Sequence, residues 1–287
     1  MNISKDRHKP FGNRDLIPSM CIGGIDFHWG ERTYVMGIIN VSPDSFSGDG
    51  VCGVKAAVEQ AKRFVAEGAD ILDIGGESTR PGSEPVSEEQ EIARVIPVVE
   101  AIHAEMNVPL SVDTYKTGVA ERALEAGAHI INDIWGLKRG DEMAQIAAKM
   151  GAPLILMSNQ RDEASVSIIP AVLADLELAI EKALSSGIAS NKIIVDPGIG
   201  FGKTVEQNLE IIYRLGEIRR LGRPVLLGTS RKSVIGRILK VAENDRLEGT
   251  AATIAIGIAA GADIVRVHDV KAMKRVASMT DAIVRRN

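Results

Sequence analysis

Aromatic side chains are scarce in this chain of 287 residues, where Trp, Tyr and Phe together make up 3%. A core must then be assembled from Ile, Val, Leu and Ala, and branched aliphatics are what strands buried on both faces favour. Cysteine is scarcer still. Cys21 and Cys52 stand alone, with no CxxC or comparable ligand spacing, which argues against a disulfide scaffold or a zinc site. No apolar run reaches membrane-spanning length. The N-terminal stretch is charged and lacks an apolar segment followed by a small-residue cleavage site, so it reads as the polar leader of a cytoplasmic protein. Basic excess is absent as well: 34 Lys and Arg stand against 38 Asp and Glu, for a formal net charge of -4. That balance removes the electrostatic drive for nucleic-acid binding. An anionic ligand would have to be held by a local cluster of cations.

What the chain does contain is a repeated alternation of short apolar segments and amphipathic stretches. The strand candidates are 34–41, 71–75, 110–114, 130–134, 154–159, 193–196, 225–229 and 264–268. Each is short and almost continuously apolar, as a strand covered on both faces should be. Helical spacing of apolar residues covers 54–67, 88–105, 117–126, 141–149, 168–186, 205–220, 247–260 and 270–285. The second of these begins after Ser87, a suitable N-cap, with an acidic first turn that suits the helix dipole. EGADILDIG, AGAHIINDI, MGAPLILM and AGADIVRVH repeat one joint, in which a Gly ends a helix and the chain turns straight into an apolar strand. Eight such units predict an α/β fold, a single (β/α)8 TIM barrel over 33–287. Residues 1–32 form the leader and a Gly-Gly hairpin, CIGGIDFHWG, suited to plugging the barrel bottom.

In this architecture chemistry gathers where strands end. Every predicted strand delivers a polar group there: Asn40, then Glu77 to Arg80, Asp113, Asn132 with Asp133, Ser158 with Asn159, Asp196, Ser230 to Lys232, and Arg266 with His268. A merely structural rim would end some strands on indifferent residues. The stretch from Asp196 to Thr204, DPGIGFGKT, is glycine-rich, so its backbone can approach a ligand. Pro197 stands where a Walker A loop needs Gly, and the spacing is not that of a dinucleotide loop, so by itself it reads as a tight strand-to-helix connection. Arg266 and His268 occupy alternate positions and point the same way. His8, His28, His103 and His129 fall on the surface or at the barrel bottom.

MGIINVSPDSFSGDG, DIGGESTRPG, SVDT, IINDI, DPGIGFGK, GTSRKS and RVHD occur in this order, each at a strand end. From about Tyr34 onward the chain resembles the dihydropteroate synthases of folate biosynthesis. The resemblance implies condensation of 6-hydroxymethyl-7,8-dihydropterin pyrophosphate with p-aminobenzoate, releasing 7,8-dihydropteroate and pyrophosphate. It implies a pterin site at Asp113, Asn132, Asp196 and Lys232, whose carboxylates, amide and ammonium match the donors and acceptors along one pterin edge. It implies pyrophosphate held by Asn40, Arg266 and His268, with Mg²⁺ bound through Asn40, since amide and phosphate oxygens are the hard ligands Mg²⁺ takes. Asp113, Lys232, Arg266 and His268 carry the catalytic roles in that reading. The p-aminobenzoate site falls on the loops 41–50 and 78–86, at Phe46, Thr79, Arg80 and Pro81, together with Phe201 and Ser230. Three of these can sandwich a benzene ring. Ser230, with the start of the helix after it, can hold a carboxylate. The family also implies a homodimer and a sulfonamide target. Many of its members carry Met-His where this chain reads Met157-Ser158-Asn159. The barrel and pterin pocket are shared with methyltetrahydrofolate–corrinoid methyltransferases, but those have no use for the STRPG and SRKS blocks.

Overall fold

Eight apolar segments too short to bury themselves alone find partners in one another and in the helices between them. The computed structural model describes residues 17–41, 50–77, 84–162 and 166–285, with only the backbone of 50–52. An antiparallel hairpin comes first, β1 (Met20–Ile22) and β2 (Ile25–Phe27), with Gly23 and Gly24 at positive φ in its turn. Then follow β3 (Tyr34–Asn40), α1 (Gly50–Ala66), β4 (Ile71–Gly75), α2 (Glu88–Glu105), β5 (Leu110–Asp113), α3 (Thr117–Glu125), β6 (Ile130–Asp133), α4 (Glu142–Met150) and β7 (Leu154–Met157). The chain continues with α5 (Ile168–Ser185), β8 (Ile193–Asp196), α6 (Val205–Tyr213), α7 (Leu215–Ile218), β9 (Leu226–Leu227), α8 (Ser233–Leu239), α9 (Leu247–Ala259), β10 (Ile264–Val267) and α10 (Val270–Val284).

The strands from β3 to β8 pair in parallel in chain order, and β10 joins β3 on one side and β9 on the other. A parallel bridge between Val195 and Val225, with Val195 N donating to Pro224 O at 2.9 Å, closes the ring. The predicted barrel is the observed architecture. Several strands stop one or two residues short of the predicted limits, and 225–229 contributes only Leu226 and Leu227 as strand. The released residues, such as Thr114, Ser158, Asn159 and His268, have left the sheet to form the rim. The predicted helix over 205–220 is instead broken at Arg214, where α6 ends, α7 begins, and a 3-10 turn completes the run.

The joints predicted from the repeated Gly are present: Gly68, Gly127, Gly151 and Gly261 all have positive φ. Ser87 caps α2 in a reciprocal capping box with Gln90. Ile, Val, Leu and Ala fill the layer between barrel and helices. A second cluster stoppers the barrel floor. There Met20, Ile22, Phe27 and Trp29 of the hairpin region pack on Tyr34, Ile71, Ile130 and other residues that start the strands. His28, His103 and His129 lie at this end: Tyr34 OH receives the backbone N–H of His28, and His129 Nδ1 that of Leu110. The bottom is therefore a packed floor, and the open chemistry lies at the opposite rim.

Candidate active site

Three of the predicted residues, Asp113, Asn132 and Arg266, meet in one polar cluster around a residue that sequence reasoning passed over. Asp73 sits in the middle of β4, wholly buried. Its Oδ2 accepts from Arg266 Nε at 2.5 Å and from Asn132 Nδ2 at 3.2 Å. Arg266, from β10, also donates through Nη2 to Asp113 Oδ2 at 2.6 Å. One guanidinium thus bridges two carboxylates inside the barrel mouth. The second oxygens, Asp73 Oδ1 and Asp113 Oδ1, are buried without a hydrogen-bond partner among the described residues. A buried carboxylate oxygen with no donor is costly, and it marks where an N–H-bearing ligand would be accepted. A charged residue inside the apolar run ILDIG was the available signal for Asp73.

Burial governs the protonation of this cluster. It pushes Asp113 up to about 7 against the pull of Arg266, with Asp73 adding to the rise. Asp196, at the end of β8, is likewise raised by burial, opposed by Gly198 N, which donates to its Oδ1 at 2.7 Å. Asp196 therefore does brace a turn, and it also faces the cluster through the field of Lys232 and Arg266. Lys232, which precedes α8, is held down to about 8 by burial, with the like charge of Arg266 next in weight. Its Nζ stands 4.2 Å from the centre of the Phe201 ring.

Two turns present these groups. After β9 the chain folds back so that Lys232 N donates to Thr229 O. Arg231 takes a left-handed φ of 56°, with its guanidinium forked onto Asp269. Ser230 is buried and its Oγ lies 3.0 Å from His268 Nδ1, while His268 N donates back to the same oxygen at 3.1 Å. The structure thus brings Ser230 together with His268, and α8 behind it is a short helix of 7 residues. After β8 the glycine-rich loop folds against β7. Lys203 Nζ donates to the carbonyl oxygens of Ser158, Gly198 and Phe201, at 2.8, 3.0 and 3.2 Å. Burial lowers Lys203 to about 7. This is the tight strand-to-helix connection expected from sequence, and it also sets Phe201 at the rim beside Met157, Ile134 and Trp135.

Ser158, the departure from the family pattern, points away from the mouth: it is wholly buried and its Oγ donates to Asp175 of α5 at 2.9 Å. Glu77 is held at the base of the next loop by Lys116, Tyr115 and Val86 N. Asn40 ends β3 half-buried, in register with Gly75, whose missing side chain leaves room beside Asp113. Phe46, Thr79, Arg80 and Pro81 lie outside the described residues.

Comparison with known proteins places this geometry. The pterin binding enzyme family matches residues 36–268. The chain is 52% identical over 269 residues to the dihydropteroate synthase of Clostridium beijerinckii, covering 93% of this chain and 100% of that one. Among solved structures, it is similar to a Clostridium difficile dihydropteroate synthase crystallised with pteroic acid, with TM-score 0.88, 49% identity, and coverage of 91% and 100%. It is also similar to the Xanthomonas albilineans dihydropteroate synthase with 4-aminobenzoic acid, with TM-score 0.88, 38% identity, and coverage of 93% and 98%.

Proposed function

The chain belongs to the pterin binding enzymes, within the dihydropteroate synthases, and on that premise we propose how its own residues divide the work. The enzyme is a transferase that condenses 6-hydroxymethyl-7,8-dihydropterin pyrophosphate with p-aminobenzoate. The observation that carries the assignment of roles is the Asp73–Arg266–Asp113 bridge, with Lys232 and Asp196 charged against it.

The pterin enters with its N–H edge toward Asp113 and Asp196, which accept, while Asn132 braces Asp73 and Lys232 donates to a carbonyl or ring nitrogen. Arg266 has five N–H donors, and its bonds to Asp73 and Asp113 leave others for phosphate oxygens. His268, fixed by Ser230, completes the pyrophosphate site with Asn40. The exocyclic C–O bond breaks and its electron pair leaves on pyrophosphate, whose charge Arg266 and His268 offset. The electron-rich pterin carries the resulting cation, with the Asp113 carboxylate beside it. The neutral amine of p-aminobenzoate then attacks the methylene carbon with its lone pair, and the resulting ammonium passes its proton to water. No activated nucleophile is needed. Phe201 packs on the aminobenzoate ring, with Ser230 at a polar end; the family resemblance adds Phe46, Thr79, Arg80 and Pro81, which lie outside the described residues.

Mg²⁺ fits one protein ligand here. Among the described residues no three His, Cys, Asp or Glu side chains gather to cage a metal. Asn40 offers one hard amide oxygen at the strand end, and pyrophosphate oxygens and water would supply the rest. When bound, Mg²⁺ supplies positive charge to the leaving group.

A homodimer is supported by apolar exposure on the neighbouring helices α6, α9 and α10, where Tyr213, Ile256, Met279 and Ile283 are 82%, 53%, 63% and 54% exposed. No helix among the described residues is long and apolar enough to cross a membrane, and a cytoplasmic location remains our reading. The deciding assay follows pyrophosphate and dihydropteroate with the pterin pyrophosphate, with and without p-aminobenzoate. Stoichiometric formation of both products only when p-aminobenzoate is present is expected. Pyrophosphate release with no pteroate formed at any amine concentration would sink the assignment.

A further inference from the structure

The loops after β7 and β8 meet around a cation that none of the roles above uses. Lys203 precedes Thr204, which caps α6 in a reciprocal capping box with Gln207. Its side chain turns back from the helix, and Nζ donates to Ser158 O at 2.8 Å, Gly198 O at 3.0 Å and Phe201 O at 3.2 Å. An ammonium has three N–H donors, and each of these ends on a main-chain carbonyl. Asp196 and Asp175 favour its charge through space, while Lys138 and Lys232 oppose it.

The backbone is shaped for this contact. Gly198 and Gly202 take φ of +71° and +70°, and a Cβ would overlap Ser158 O at the first and the Gln160 carbonyl at the second. Gln160 N donates to Phe201 O at 3.3 Å. Two loops are therefore locked backbone to backbone, and Lys203 is the charged part of the lock. The two ligand-facing groups of the β8 loop depend on it differently. Asp196 belongs to the sheet: its carbonyl accepts Ser158 N at 2.9 Å, and its side chain accepts Gly198 N at 2.7 Å. Phe201 lies beyond the strand, where its own turn joins its N–H to Gly198 O at 3.1 Å. Lys203 binds the carbonyls at both ends of that turn and ties them to Ser158 at the end of β7.

We propose that Lys203 is a positioning residue for the aromatic amine substrate, holding Phe201 at the rim through three main-chain carbonyls without touching either substrate. This rests on the reading above that Phe201 packs on the aminobenzoate ring. A wall that contacts the amine equally in the ground state and in the transition state affects KM and leaves kcat unchanged.

The test compares wild type with Lys203→Met, which keeps an unbranched chain and removes all three donors, with Phe201→Ala, and with the double variant carrying both changes. For Lys203→Met the KM for p-aminobenzoate should rise about tenfold, the scale of one lost charge-assisted hydrogen bond. Its kcat and its KM for the pterin pyrophosphate should stay within about threefold of wild type. Lys203→Gln, which keeps two N–H donors, should show a smaller rise in the same constant and serves if the Met variant does not fold. The double variant should match Phe201→Ala alone within about twofold, because the lysine then has no ring left to position. Effects that multiply in the double variant would give Lys203 a role independent of Phe201 and overturn the inference. So would a pterin KM that rises as far as the amine KM, which would make Lys203 a support of the whole barrel mouth. If Phe201→Ala raises the amine KM and Lys203→Met does not, the inference alone fails. If Phe201→Ala leaves the amine KM unchanged, the placement of the aminobenzoate ring fails and the inference falls with it.

Discussion

Replacing Asp113 by Asn keeps the shape of the side chain and removes its charge, so it isolates what the carboxylate does. Asp113 Oδ2 takes the Arg266 Nη2 proton at 2.6 Å, while Oδ1 is buried with no partner among the described residues. An amide can turn its oxygen to Arg266 or to the pterin, but not to both. One charge-assisted hydrogen bond is forfeited in either orientation, at roughly 1.5–3 kcal/mol. At about 1.4 kcal/mol per factor of ten, pterin affinity should fall about 10- to 150-fold. Glu121→Gln is the control. Its carboxylate is 39% exposed and pairs with Lys149 at 3.1 Å on the helical surface. Such a pair contributes about 0–1 kcal/mol, and pterin affinity should not move. Titration calorimetry with the pterin substrate measures both.

The same substitution has a pH signature. Folding raises the Asp113 carboxyl from 3.8 to about 7, so the folded chain keeps a proton that the unfolded chain releases. The stability linked to that proton is full below about pH 4 and is lost as pH rises through about 7. Asp113→Asn lacks this loss. From about pH 4 to about 7 the variant should therefore gain on wild type in urea unfolding as pH rises. Parallel stability curves over that range, or equal pterin affinities for Asp113→Asn and Glu121→Gln, would refute the reasoning.

Lys232 gives a second pH test. Burial holds its ammonium down to about 8, so the positive charge that strengthens its hydrogen bond is lost as pH rises through that value, and kcat/KM for the pterin pyrophosphate should decline above about pH 8. The decline should be absent in Lys232→Arg, whose guanidinium stays charged, and a flat wild-type pH–rate profile to pH 10 would refute the role. Asp73→Asn removes the negative charge shared by Arg266 and Asn132; the KM for the pterin pyrophosphate should rise at least about tenfold, and unchanged kinetics would make Asp73 a bystander. Gly202→Ala places a methyl 2.2 Å from the Gln160 carbonyl carbon at a φ of +70°. It should cost at least about 2 kcal/mol, read as a lowered Tm, and an unchanged Tm would show that the two loops are not locked together.

Much of the barrel could be read before any coordinates because its signals are local. A Gly that ends a helix, an apolar run of strand length and a capping residue each act within a few positions of themselves. Gly68, Gly127, Gly151 and Gly261 take the left-handed conformation their joints required. The apolar character of the eight segments called for burial on both faces, and a closed parallel sheet inside a ring of helices provides it. The polar residues at the strand ends were legible for the same reason: a (β/α)8 order collects them at one rim whatever the details. Asp113, Asn132, Asp196, Lys232, Arg266 and His268 stood among those rim residues by their positions in the chain, and the resemblance to the family singled them out.

Which of those groups touch was not legible, because contact depends on strand register and on the direction of each turn. Asp73 is 193 positions from Arg266 in the chain and bonded to it in the fold. Ser230 is bonded to His268, a pairing settled by the left-handed turn at Arg231. Ser158 faces Asp175 because the chain leaves β7 with that side chain toward α5, and nothing within the tripeptide Met157-Ser158-Asn159 specifies this. Protonation is likewise a property of the assembled site. The chain supplies a carboxyl and an ammonium with ordinary affinities for protons, and burial in the folded barrel, with the charges packed around them, pushes Asp113 up and Lys232 down. The sequence determined the elements and the inventory of chemical groups. Long-range packing decided their distances, their desolvation and the sharing of Arg266 between two carboxylates, since those energies exist only between residues that the closed barrel brings together.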